Sequence, residues 1–287
     1  MDKKDSGRIL RLLAGSLFDQ ASLCWYFAFF VEILSGLIII IGDIIDFSSK
    51  TLLILSIVSI SLLVISYILK LIFDQKYDSA ETMRRQSVLS EGANWSIDQI
   101  QLDSWYQEAG IEMVEKILNT ADQDYYSSKL DFGANRIAEM TSESIFYTKY
   151  IYKKIKRILF AVFIISSIVF IYISLCFLII RNPQLETTWF KVILSIVSMV
   201  ISIDLLGWII RLGRITKEFE QIEYSLLNLN QSSGSNLPEV FREIMEYNCQ
   251  LVKGIPIPKF IFKKYHSEIS RLWEIRESNH QSNLTPQ

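Results

Sequence analysis

Four apolar runs fall in two pairs along the chain, about Cys24 to Ile45, Thr51 to Phe73, Ile158 to Ile180 and Trp189 to Leu212. Each matches the ~20 residues a helix needs to cross the hydrocarbon core of a bilayer. Only a short polar turn separates the members of each pair. The pattern predicts an all-α membrane protein, with four transmembrane helices in two hairpins and a helical cytoplasmic domain built from the middle region and the C-terminal tail. The expected segments are 1–23, an amphipathic N-terminal lead-in; 24–73, the first hairpin; 74–157, a cytoplasmic helical region; 158–212, the second hairpin; and 213–287, a cytoplasmic C-terminal helical region.

The polar segments read as helices too. Residues 8–30 mix Ile9, Leu10, Leu13 and Leu17 with Arg8, Arg11, Asp19 and Gln20 at a helical period and lead into span one. Asp74 to Glu91 has no proline and continues span two as far as a break at Gly92. Trp95 to Gln101 looks irregular, after which Ser104 is placed to cap a helix containing Trp105, Ile111, Val114, Ile117 and Leu118. Asp122 to Leu130 is expected to form another, and Asn135 to Arg157 runs unbroken into span three. Beyond span four, Leu212, Ile215, Phe219, Ile222, Leu226 and Leu229 recur three and four residues apart. A linker at 231–236, a helix start at Asn236 and Pro238, and the rigid turn KGIPIP follow. The last helix, about Lys259 to Arg276, sets Ile261, Tyr265, Ile269 and Leu272 on one face. No strand alternation persists, and no repeat of 20 to 50 residues stands out.

Half of the residues are hydrophobic while 21% are charged, which fits apolar blocks set in a polar body. A net charge of -2 offers no global attraction for nucleic acid, so DNA binding is not expected. Cys24, Cys176 and Cys249 lack the spacing of a disulfide framework or a zinc site, which fits a reducing compartment. The N-terminus lacks a short apolar core with a small-residue cleavage site, so span one is expected to remain. Lys3, Lys4, Arg8 and Arg11 precede span one; Lys153, Lys154, Lys156 and Arg157 precede span three; Arg211, Arg214 and Lys217 follow span four. By the positive-inside rule these regions and both termini are cytoplasmic, the loops 46–50 and 181–188 are outside, and Trp189 is an interfacial anchor.

Within the spans, Glu32 is costly unless it faces protein or water. At 100° per residue Glu32, Ser35, Gly36, Ile39 and Asp43 share a sector of the helix, a row that can line a cation path. The competing readings are a hydrogen-bonded carboxyl that holds helices together for Glu32 and an interfacial residue for Asp43. Asp204 shares a side of span four with Trp208 and Arg211, as a gate or a structural pair. Ser195, Ser198 and Ser202 form a polar stripe better suited to helix packing than to conduction. In the cytoplasmic part, Arg84, Arg85, Lys263 and Lys264 with Trp105 and Tyr106 offer the charge and ring planes a nucleotide ligand needs. Basic residues beside a membrane equally suit anionic lipid, and tryptophans equally fill cores. No dinucleotide, P-loop, metalloprotease, CxxC or GxSxG signature occurs, so no enzyme, metal or cofactor is expected. For Cys249 and His266 a buried thiol and a surface histidine are favoured over a catalytic dyad.

Three stretches carry a resemblance: RLLAGSLFDQASLCWY, with Leu12, Leu13 and Ala14; LDSWYQEAG, with Asp103, Trp105 and Tyr106; and LVKGIPIPKFIFKKYHSEIS, with Pro258, Phe260, Phe262 and Lys263. Together they resemble the SMODS-associated four-transmembrane effector family of bacterial CBASS antiphage operons. The resemblance implies a cyclic oligonucleotide as activating ligand, made by a partner nucleotidyltransferase on infection. It also implies disruption of the lipid bilayer of the inner membrane as the cause of abortive infection; a homo-oligomer is expected because the apolar stripes of the cytoplasmic helices must pack on each other or on neighbouring subunits. From the residues alone, a ligand- or lipid-regulated channel or transporter and a non-conducting membrane scaffold stay open.

Overall fold

The computed structural model describes residues 3–45, 47–120, 126–179, 204–231 and 237–284, with the side chains of 3–5, 43–44, 120, 170, 173–174, 176–179, 230–231 and 279–284 left out. Trp189, Ser195, Ser198, Ser202 and Asn236 therefore fall outside the description. Among the described residues the chain is all-helical, with no strand: α1 Lys3–Ile44, α2 Ser49–Ala93, α3 Gln99–Ala109, α4 Ile111–Thr120, α5 Ala134–Ile179, α6 Leu205–Gln231, α7 Leu237–Val252 and α8 Lys259–Leu284. Two of them, over Ser6–Gly42 and Ser49–Ala93, are long and apolar enough to cross a membrane. Only 11% of each apolar window is buried, unlike the core helix of a soluble protein.

The helix borders follow local chemistry. Ser48 Oγ lies 3.4 Å from the N–H of Thr51, in the place of an N-cap for α2. Asn94, at φ 57, adopts the left-handed conformation that ends it. The cap of α3 is Asp98, whose carboxylate accepts the N–H of Ile100 at 3.2 Å, so Ser104 lies inside the helix instead of at its start. Gly110, at φ 85, then separates α3 from α4, where the sequence pattern suggested one continuous helix. Residues 126–133 are not helical, although a helix was expected through Leu130.

The chain divides into two compact units. One, the body, comprises Met1–Ser22, Gln75–Lys154 and Arg211–Gln287; the other, the apolar unit, comprises Leu23–Asp74 and Ile155–Ile210. In the body, Ile9, Leu10, Leu13, Ala14 and Leu17 of α1 pack with Ala80 and Met83 of α2, Leu102 and Trp105 of α3, and Val114 and Ile117 of α4. Leu212, Ile215, Phe219, Ile222 and Leu226 of α6 are all buried, and Phe219 lies between Tyr152, ring centroids 6.1 Å apart, and Tyr247, 5.2 Å apart. On α8 the buried stripe is Ile261, Ile269 and Trp273; Leu272 is exposed, so it closes one residue later than the periodicity suggested.

Candidate functional site

Large side chains of the apolar unit point outward. Phe30 is 61% exposed, Leu53 63% and Ile165 62%, and Leu34, Ile57, Ile60, Leu63, Ile168 and Ile171 are exposed as well. Its buried positions include Ala28, Ser35, Ser59 and Ser66. Ser35 and Ser59 exchange a hydrogen bond of 2.7 Å, and Ser66 Oγ donates to the carbonyl of Ala28 at 3.1 Å. Side chains this small let the two backbones approach closely, and the hydroxyls satisfy each other across the seam.

The small residues on α1 obey a strict seven-residue spacing: Gly7, Ala14, Ala21, Ala28, Ser35 and Gly42. Ser59, Ser66, Ala80 and Ser87 continue the same spacing on α2, with Phe73 interrupting it. Of these, Ala14, Ala21, Ala28, Ser35, Ser59, Ser66, Ala80 and Ser87 are buried. A seven-residue period keeps one seam of a helix against its partner over many turns, as in a coiled coil.

Glu32 is ion-paired with Lys70 of α2 at 2.5 Å. A cation inside the second apolar run is the partner that a carboxylate in the first one needs, and Lys70 is readable in the sequence as the basic residue of that run. Ser35, one turn further along α1, is turned toward α2, whereas Ile39 of the same sector is exposed. Asp43 belongs to α1, with its side chain outside the description. Asp204 does not sit within a continuous helix: it precedes α6 at φ 51, and its Oδ1 accepts the N–H of Gly207 at 3.2 Å. It is an N-cap, and a Cβ at position 207 would collide with its carboxylate. Nearby in sequence, Trp208 packs edge-on to Trp25, which stacks on Phe29 and touches Tyr26.

In the body, Arg84 is committed to protein. It donates to both oxygens of Glu81 at 2.9 to 3.3 Å and to Oδ1 of Asn248 at 2.7 Å, and its guanidinium lies 5.4 Å from the centre of the Tyr247 ring. Burial is the largest single influence and opposes its charge, but the charge and hydrogen bonds of Glu81 together with Tyr247 and Tyr126 push the pKa above the usual arginine range. Arg85 reaches the same carboxylate at 3.7 Å. Trp105 is buried in the core around Leu10 and Leu13, with Tyr106 packed on that core, while Lys263 and Lys264 are exposed on α8. The six candidate ligand residues thus occupy three different settings: an internal ion cluster, a hydrophobic core and a helix surface. Two pieces of the resemblance do meet, because Leu12, Leu13 and Ala14 share one core with Trp105 and Tyr106.

A second ionic cluster escaped the sequence reading because its members are remote in the chain. Glu223 of α6 pairs with Lys149 of α5 and Arg276 of α8. Glu143 of α5 accepts the N–H of Ser127 at 3.1 Å and contacts Ser127 Oγ at 3.2 Å; the same Oγ lies 2.8 Å from Glu277 and receives Trp273 Nε1–H at 2.9 Å. Ser127 has a single hydroxyl proton for two carboxylates, so both contacts are hydrogen bonds only when a carboxyl supplies a second proton. Burial, opposed by the Ser127 bonds and aided by Glu277 and Glu139, pushes Glu143 up to about 7. His266 packs against Tyr147 and Phe262 and contacts Ser270, and Cys249 is exposed on α7. Among the described residues no group of three or more His, Cys, Asp or Glu is placed to hold a metal ion.

No protein-family model, no curated protein and no solved structure matches this chain.

Proposed function

We propose that the chain is a multi-pass inner-membrane effector of a CBASS-like antiphage system. In this reading four spans cross the bilayer in two hairpins, both termini are cytoplasmic, and copies assemble into a homo-oligomer. A cyclic oligonucleotide from a partner nucleotidyltransferase binds the helical body and rearranges the spans, which breaches the membrane. The observation that carries the membrane part is the inverted burial of the apolar unit, large side chains outside and Ala or Ser inside, which suits lipid and not water as its surroundings. The trigger rests on the sequence resemblance, supported by the shared core of its lead-in and its Asp/Trp/Tyr element. α1, α2 and α5 each contribute residues to both units, so no linker separates the body from the apolar unit along these helices.

One observation favours a second reading, a scaffold without a conducting state: Glu32 is paired with Lys70 and so holds two helices together. Release of dye from liposomes containing the purified protein separates the two. Release triggered by one of a panel of cyclic di- and trinucleotides supports the effector; a folded sample that releases with none sinks it. If Glu32 lines the path, Glu32→Gln changes triggered release; if it only ties helices, release is unaltered.

A further inference from the structure

We infer that Val252–Lys264, the last residue of α7, the turn after it and the first turns of α8, is a surface that binds the anionic lipid headgroups of the cytoplasmic leaflet. The inference rests on the proposal that the apolar unit spans the bilayer. The stretch reads VKGIPIPKFIFKK, with four lysines and no acidic residue. Lys253, Lys259, Lys263 and Lys264 are all exposed, and between them stand two apolar side chains that the body leaves uncovered, Val252 at 52% exposure and Phe260 at 68%. An exposed aromatic among lysines is the chemistry of an interfacial anchor, in which the ring enters the headgroup layer and the ammonium groups meet phosphates.

Several ties fix the stretch within the body. Tyr152 donates its hydroxyl to the carbonyl of Ile255 at 3.1 Å. Lys259 pairs with Asp19 of α1. Lys154 of α5 lies 3.8 Å from Glu268 and 4.9 Å from the centre of the Tyr265 ring, and Tyr150 donates to Glu268. Asp19 stands four residues before Leu23, and Lys154 immediately before Ile155, where the apolar unit begins on α1 and on α5. Four residues of helix rise about 6 Å. Lys259 is therefore held to the last polar stretch of α1, and Tyr265 and Glu268, just after Lys264, to the last polar turn of α5. Lys253 also reaches Gln250, and Lys264 lies over Tyr265. These neutral partners leave both ammonium charges uncompensated, in contrast to Lys259.

The test uses the full chain in nanodiscs of phosphatidylcholine alone and of phosphatidylcholine with one-third phosphatidylglycerol, followed by amide hydrogen exchange. Exchange over 252–264 is expected to slow by about tenfold in the anionic discs, since each lysine near the surface adds to binding. The slowing is expected to vanish in molar salt, where screening shrinks to ~3 Å. It should vanish likewise in the Lys253→Gln, Lys263→Gln, Lys264→Gln triple variant, while exchange over the α6 stripe 212–226 shows that the body remains folded. Equal exchange in the two discs, or slowing that survives the triple substitution, overturns the inference. The amides of 51–72 report separately on insertion: their protection in both discs with no lipid dependence at 252–264 refutes only the headgroup surface. Their lack of protection refutes the spanning reading and this inference with it.

Discussion

The two units of this chain invert each other's packing, and α1 contributes to both. In the body, Leu10, Leu13 and Leu17 of that helix are buried; in the apolar unit, Leu23, Phe27, Phe30 and Leu34 are exposed. The small residues spaced by seven stay inside throughout, as Ala14, Ala21, Ala28 and Ser35. What changes along the helix is the destination of its large side chains. Where water is the surroundings, burying a leucine contributes ~1.5–3 kcal/mol, so large residues go in. Where lipid is the surroundings, that gain is absent and close backbone approach decides, so small residues go in.

Polar groups differ between the units in the same sense. The body sinks charge deeply and surrounds it, with Arg84, Glu81, Asn248 and Tyr247 in one cluster and Glu223, Lys149 and Arg276 in another. Among its described residues the apolar unit ties α1 to α2 through a serine pair, a serine on a carbonyl, and Glu32 with a half-exposed Lys70. The largest effect expected is therefore in the body. Arg84→Ala leaves Glu81, with only 2% of its side chain exposed, against the more distant Arg85. Removing one member of a buried pair costs about 3–5 kcal/mol. Thermal unfolding of the detergent-solubilised protein should show the loss, whereas Glu32→Gln in the apolar unit should change the midpoint far less. Equal losses from the two substitutions would erase the contrast between the units.

Much of this architecture is legible in the sequence, and the exceptions have physical causes. The apolar runs and the stripe from Leu212 to Leu226 announce helices because burial recurs at the helical period. Caps are harder to read: Ser104 and Asp98 are both good N-cap residues, and the choice falls on Asp98 because its carboxylate meets the N–H of Ile100. Asp204 reads as one more residue of an apolar helix until its backbone, at φ 51, identifies it as a start. The ion clusters are invisible for another reason. Arg84 and Asn248 are 164 positions apart, and nothing local marks them as partners. The spacing of Gly7, Ala14, Ala21, Ala28, Ser35 and Gly42 is written plainly in the chain, yet hydropathy conceals it because small residues count as neither apolar nor polar.

The next effect in size concerns pH and belongs to the body alone. Glu143, pushed up to about 7, binds its proton more tightly in the folded chain than in the unfolded one, where a glutamate titrates near its usual value of about 4.3. The folded state thus holds more protons between those two values, and the stability of the body falls as pH rises through that window and levels off above it. Glu143→Gln removes the titrating carboxyl: its amide oxygen accepts the N–H of Ser127 as Glu143 does, and the serine proton goes to Glu277. The variant should match the parent near pH 4 and exceed it by about 3–4 kcal/mol at pH 8, from the size of the shift. Chemical denaturation followed at several pH values measures this, and parallel curves for the two proteins would refute it. Glu139 and Glu277 face the same site, and their charges add to the upward push on Glu143.

The smallest effect tests the inversion directly, and it does so on one helix. Ala28 is fully buried beside Ser66, so Ala28→Leu forces the α1–α2 seam apart at a cost of ~1–3 kcal/mol, as overpacking does elsewhere. Leu34→Ala, six residues further along and exposed, removes a larger group from the same segment but opens no cavity, and should shift stability by less than ~0.5 kcal/mol. In a water-facing unit the order of these two substitutions would reverse, because a leucine lost from a core costs ~2–5 kcal/mol and an alanine enlarged at a surface costs almost nothing. Unfolding of both variants in lipid nanodiscs, followed by loss of the Trp25 and Trp208 fluorescence environment, gives the comparison. If Leu34→Ala proves the more damaging, large side chains hold the apolar unit together after all, and the small-residue seam is a by-product of helix spacing rather than its cause.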